Sequence, residues 1–354
     1  MSVTTYEQPH NISPERKADY TIRISMKKHH IEFDVMGESK DWIELEPKDI
    51  DNCRNDFHRL NQLLSKLVSY DATETSIAQN VQLQLQAIGI ELAQQFVSEG
   101  LLLKTQGWDK NAIVEISINQ QAQIIPWELV YDGSDFWGNK FLIVRKPRRR
   151  ERPQPLPPTL NTVSTQACQR KPIHIIGARL DQYPQVKSLF SEHIRERLTA
   201  SDVADSLFNA GIIHLTCHGH LSEGEIQLEL GSGPFHHFTP RIVPVLPDLK
   251  GSLVFINACT SAACVPFLGI EVSFAWSFYE KGASSFLGTI STVPINYALD
   301  FAAAFYERFM DGATVVEALI YARQQAPQQN PFWLFYTLYG QAFVTANYVL
   351  RIGE

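Results

Sequence analysis

Two short motifs hold the residue types that could do chemistry. One is "TCHGH", giving Cys217, His218, Gly219 and His220, and the other is "NACTSAAC", giving Asn257, Ala258, Cys259 and, five residues on, Cys264. Each follows a mostly apolar run, "IIHL" and "SLVFI", of the kind that forms a buried strand. A thiol attacks a carbonyl only as a thiolate, and histidine is the usual base that makes one near neutral pH. The attack builds negative charge on the carbonyl oxygen, which backbone N–H groups at tight turns can hold. Gly219, with no side chain, lets the backbone come close to a substrate. His218 as base, Cys259 as nucleophile, and the N–H groups of Gly219 and Cys259 as oxyanion donors therefore make a minimal amide-cleaving site. The same residues admit a quieter reading, in which Cys259 is a small core residue and His218 a satisfied polar group. A third reading is zinc, from the C-x2-H spacing of Cys217 and His220 and the C-x4-C spacing of Cys259 and Cys264. Against it, Cys217 and His218 adjoin within the strand predicted over 212–218 and so point to opposite faces.

The elements that must position these motifs read as α/β. Strands are predicted at 173–178, 212–218, 252–258 and 284–290, and helices at about 185–208, 268–281, 296–311 and 314–325. Short continuous apolar strands separated by helices predict a mostly parallel sheet covered on both faces. In such sheets ligands collect beyond the carboxyl ends of the strands, where His218 and Cys259 fall. Upstream, "YTIRISM" and "HIEFDVM" alternate as a β-hairpin, and helices are predicted over 48–69 and 75–98. "AIVEISI" (112–118) is a strand, followed by "IIPWELVYDG" and the apolar "FLIVR". Trp127, Phe136 and Trp137 read as core, and "IQLEL" as part of a short hairpin. The basic run "RKPRRRER" (145–152) opens a proline- and arginine-rich linker near 146–172, read as solvated and open to proteolytic nicking. No internal repeat is found.

Composition narrows the classes. The chain has 354 residues, 44% hydrophobic and 19% charged, with a net charge of -7, so it can build a large core and has no domain-wide basic excess for nucleic acid. The N-terminal twenty residues are polar and lack the apolar core of a signal peptide. No run approaches the ~18 apolar residues that span a membrane. Five unevenly spaced cysteines, Cys53, Cys168, Cys217, Cys259 and Cys264, argue for reduced thiols in a cytoplasm. Cys217 and Cys264 read as packing residues, and His236 and His237 receive no role.

At this point the chain resembles the CHAT domain, the bacterial branch of the caspase-like (clan CD) cysteine peptidases. The resemblance rests on "IIPWELVYDG", "IIHLTCHGH", "SLVFINACTSA", "FYEKGASSFLGTISTVP" and "FAAAFYERFMDGATVVEALIYARQ", five pieces in the family's order over roughly 75–345. It implies a caspase-like three-layer α/β sandwich, with His218 and Cys259 as the catalytic pair and Gly219 as the oxyanion glycine. It also places Asn257 and Ala258 beside the pocket for the residue before the cut. Arg179 or Asp181 falls where relatives select that residue, the first for acidic and the second for basic side chains. Thr260, the missing glycine after Ser261, and "LGTISTVP" without a tryptophan depart from the family pattern near the substrate groove.

The expectation is a cytoplasmic cysteine endopeptidase, a thiol hydrolase acting on a partner protein in a bacterial antiviral defence or regulated-death pathway. Its substrate is expected to be encoded nearby, and its trigger to be a separate activator protein, cleavage, or nothing. No cofactor, metal, nucleic-acid or membrane partner is expected. The alternative is a catalytically silent caspase-like scaffold. Residues 1–74 form an N-terminal extension of flexible start, hairpin and helix, 75–345 the peptidase domain, and 346–354 a tail.

Overall fold

The computed structural model describes residues 17–37, 40–50, 60, 62–64, 66, 75–148, 173–177, 194–196, 199–207, 210–222, 224–231, 236–249, 251–267, 270–327 and 331–350. Arg179, Asp181 and most of the 146–172 linker lie outside them.

The strands are β1 (Tyr20–Met26), β2 (His30–Met36), β3 (Trp42–Asp49), β4 (Ala112–Ile118), β5 (Phe141–Pro147), β6 (Ile173–Gly177), β7 (Ile194–Glu196) and β8 (Ile212–Thr216). They continue with β9 (His218–Ser222), β10 (Glu225–Glu229), β11 (His237–Phe238), β12 (Leu253–Asn257), β13 (Val265–Phe267), β14 (Ile270–Val272), β15 (Ser285–Thr289) and β16 (Tyr336–Gly340). Eleven of them form one sheet, in the order β3-β2-β1-β4-β5-β16-β15-β12-β8-β6-β7. Its pairings are parallel except β3–β2, β2–β1 and β15–β16. The predicted α/β class with a largely parallel sheet is what the chain adopts. The hairpin β1–β2 does not sit apart: β1 pairs in parallel with β4, so β1, β2 and β3 continue the central sheet.

Helices cover both faces, as strand alternation dictates. On one face Phe255, His214 and Tyr336 meet the helix Ile295–Met310. Phe255 lies 5.5 Å from Phe305 between ring centroids, and Tyr336 stacks on Phe301 at 3.8 Å. Phe286 adjoins Leu287, the register partner of Phe255, and so faces the other way, 6.0 Å from Phe278 of the helix Phe274–Glu280. The result is a three-layer sandwich. His214 is fully buried against Tyr306 and Thr216, and burial alone pulls its pKa down to about 3, so it is neutral and structural. Trp127, Phe136 and Trp137 are buried, as their apolar setting predicts.

Several expected boundaries give way to tertiary pairing. Residues 42–49 form β3, because "WIELE" pairs antiparallel with β2; Asp49 ends a strand rather than opening a helix, and only parts of the predicted 48–69 helix are described. In place of a helix over 185–208, the described residues hold edge strand β7, paired with β6, and a helix only at Ala200–Leu207. The helix predicted from 268 starts at Phe274, where the Ser273 hydroxyl accepts from the Trp276 N–H and caps it; the preceding residues form the β13–β14 hairpin. "IQLEL" contributes β10, the centre of a separate three-stranded sheet between β9 and β11.

The start of the basic run is not linker. Arg145 lies in β5 at 1% exposure, pairing through two nitrogens with Glu128, which is 0% exposed. It also donates to the Gln123 carbonyl and the Tyr339 hydroxyl, both at 3.2 Å, while the Thr337 hydroxyl donates to Glu128. Glu128 comes from the turn Trp127–Leu129 of the "PWEL" element. Arg148 donates to the Ile24 carbonyl at 2.7 Å and ties β5 to β1.

Candidate active site

Parallel pairing of β8 and β12 puts the two motifs side by side. Asn257 is the register partner of Thr216, so Cys259 and His218 each lie two residues beyond a matched pair at the carboxyl edge. The chain bends at Cys217 and re-enters β9 at His218, so the two residues do not share one strand. This turn meets the cysteine turn at Gly219. A Cβ placed on Gly219 would sit 2.1 Å from the Cys259 carbonyl oxygen, 3.1 Å from its carbonyl carbon and 3.2 Å from its nitrogen. Glycine is required there for space, since the φ of Gly219 is not in the left-handed region.

The cysteine turn is held from several sides. Ser261 donates to the Ile256 carbonyl at 2.8 Å and accepts from the Thr289 N–H at 2.9 Å. Thr289 donates through its hydroxyl to the Ala258 carbonyl at 2.7 Å. These bonds brace the end of β12 against the end of β15, beyond the last register pair, Phe255–Leu287. Thr260 has φ 58, rare for a β-branched residue, and is kept there by its N–H on the Ser291 carbonyl and its hydroxyl on the Cys259 carbonyl. Such strain marks positions that the surrounding structure over-determines. No glycine or asparagine announces it in the sequence.

The Cys259 thiol is partly exposed and lies 3.9 Å from the Val293 carbonyl. Burial pushes its pKa up; contacts with the Val293 backbone and the Thr292 side chain pull the other way. A thiol desolvated in this way needs a base to ionise near neutral pH. His218, at the mouth of the turn, is exposed. Burial pushes the Cys217 thiol up to about 12, with Cys259 and Glu229 adding to it, and pushes Cys264 well above its usual range. Both match the packing role expected of them.

Asn257 is buried, with both polar ends engaged: its amide donates to the Ala298 carbonyl at 2.8 Å, and its oxygen accepts from the Tyr336 hydroxyl at 3.0 Å. Ala258 is 5% exposed. Among the described residues no three or more His, Cys, Asp or Glu side chains are grouped to hold a metal ion, so Cys217, His220, Cys259 and Cys264 are not a zinc set. No helix among them is long and apolar enough to cross a membrane. No local pattern in the sequence announces the Glu128–Arg145 pair. Arg145 lines a small cavity behind the cysteine turn, together with Gln123, Ala262, Ala263 and Cys264.

A sandwich with a largely parallel sheet, and a cysteine and a histidine turn meeting at its carboxyl edge, is a caspase-like fold. The CHAT domain family model matches residues 82–341, and the chain belongs to that family. The fold is similar to one chain of the Saccharomyces cerevisiae separase–securin complex solved at 3.0 Å resolution, with a TM-score of 0.55 and 10% identity over 90% of this chain. This chain spans 30% of that one's length. A structure described as a protease aligns at a TM-score of 0.45 with 9% identity, covering 66% of this chain and 64% of the other. No curated protein matches the chain.

Proposed function

We propose that the chain is a cysteine endopeptidase acting through His218 and Cys259. The observation that carries this reading is the contact of Gly219 with the Cys259 backbone, which joins the histidine and cysteine turns into one surface at the ends of adjacent parallel strands. In the reaction, His218 takes the Cys259 proton and the thiolate attacks a peptide carbonyl carbon. The carbonyl oxygen becomes an oxyanion held by the N–H groups of Gly219 and Cys259. The imidazolium then protonates the leaving amine as the C–N bond breaks, leaving an acyl-thioester on Cys259. His218 next deprotonates a water, which attacks the thioester and releases the carboxylate and the thiol.

The substrate in this reading is a partner protein encoded nearby, cut in a cytoplasmic bacterial defence or regulated-death pathway and triggered by a separate activator; family resemblance is the support. Arg179 sets an acidic or Asp181 a basic preference for the residue before the cut, and an apolar preference means that neither lines the pocket. Profiling against a proteome-derived peptide library tests the activity. The parent is expected to give a defined cleavage pattern that Cys259→Ala abolishes and that shows an acidic, basic or apolar preference before the cut. Cleavage that persists in Cys259→Ala, or none from the parent with its partner proteins supplied, favours the scaffold reading.

A further inference from the structure

The hairpin after the histidine turn presents an acid to it. In β10, Ile226 and Leu228 are fully buried, which leaves Glu225, Gln227 and Glu229 on the opposite face. The register places Glu229 opposite His218 on β9 and opposite His237 on β11. Directly opposed residues of an antiparallel pair share a face, with Cβ atoms about 4.5–5.5 Å apart. One partly buried carboxylate therefore stands between two imidazoles, in a row across three strands. The row is held from behind: Leu228 pairs with Phe238, whose ring stacks 5.5 Å from Phe274 of the capped helix. Among the described residues the other groups near this spot are Cys217, whose thiol both Cys259 and Glu229 act on, and His220, opposite Gln227 and 6.1 Å from the His237 ring.

We propose that Glu229 is a positioning residue for His218. Its carboxylate accepts the N–H of the ring nitrogen turned away from Cys259, which fixes the tautomer and stabilises the imidazolium formed when Cys259 gives up its proton. The thiolate–imidazolium pair then forms more readily despite the desolvation of Cys259. His237, on the other side of the carboxylate, competes for it. This inference rests on the His218–Cys259 reading.

The test is the rate of Cys259 alkylation by iodoacetamide in the full chain from pH 6 to 10, for the parent, Glu229→Gln, Glu229→Asp, His237→Gln and His218→Ala. Glu229→Gln is expected to slow alkylation about tenfold near pH 6.5, one pKa unit's worth, with the gap closing toward pH 10 as the thiol ionises unaided. Glu229→Asp should recover part of the loss, and His237→Gln should stay within about twofold of the parent or exceed it, on the same one-unit scale. A Glu229→Gln chain that reacts like the parent at every pH, or is slowed by the same factor at every pH, overturns the proposal. If His218→Ala is inert while Glu229→Gln matches the parent, only the role of Glu229 falls. If His218→Ala itself reacts like the parent, the dyad falls and takes this role with it.

Discussion

Gly219→Ala is expected to fold and to lose peptide cleavage by at least about a hundredfold. The added Cβ would lie 2.1 Å from the Cys259 carbonyl oxygen, a distance that backbone atoms cannot share. Backbone lies on both sides of the contact, so no flexible side chain can yield. Either the histidine turn or the cysteine turn must move by about an ångström, and a displacement of that size at reacting groups costs roughly 10²-fold. The strands beneath should hold, because Leu253–Ile256 and Ile212, Ile213 and Leu215 are fully buried in the sheet core. The check is kcat/KM on the best library peptide beside the thermal unfolding curve. A variant with the parent's kcat/KM would show that the two turns need not meet, and a variant that fails to fold would show that the contact holds the sheet together.

The second large effect is on stability. Arg145→Met removes the two-nitrogen partner of the buried Glu128 and leaves it the Thr337 hydroxyl and the longer-range pull of the buried Arg323. Removing one partner of a buried pair costs about 3–5 kcal/mol, because the other charge is left uncompensated. For a chain of 354 residues that lowers Tm by about 4–7 °C. The double variant Arg145→Met with Glu128→Gln should recover a large part of the loss, since the carboxylate that lost its guanidinium is replaced by a neutral amide. Denaturant midpoints of the two single variants and the double variant check this; strictly additive losses would mean that the residues do not act as a pair.

What could be read from the sequence follows from how local each signal is. That the His218 and Cys259 motifs share one edge was legible because each follows a mostly apolar run, and such runs place their ends at one edge of a parallel sheet. Arg145 was not, because it opens a basic, proline-rich run whose composition reads as solvated, while its partner lies seventeen residues earlier in a different turn. The strands β3 and β7 were hidden by the same kind of distance: each is defined by a neighbour's edge rather than by its own pattern. Thr260 sits in a left-handed conformation that its side chain disfavours, and only bonds to Ser291 and Cys259 reveal it. Glu229 alternates correctly in "EIQLE", but which histidine it faces depends on a register no single strand encodes.

The most direct test of the central claim is to map, residue by residue, where a brief pulse of iodoacetamide lands on the intact chain at pH 7. Cys259 should be alkylated well ahead of Cys217 and Cys264, whose thiols are held up by burial, and His218→Ala should slow Cys259 by at least about tenfold. Undiminished alkylation of Cys259 in His218→Ala, or alkylation of the parent's Cys259 no faster than that of Cys217 and Cys264, would contradict it.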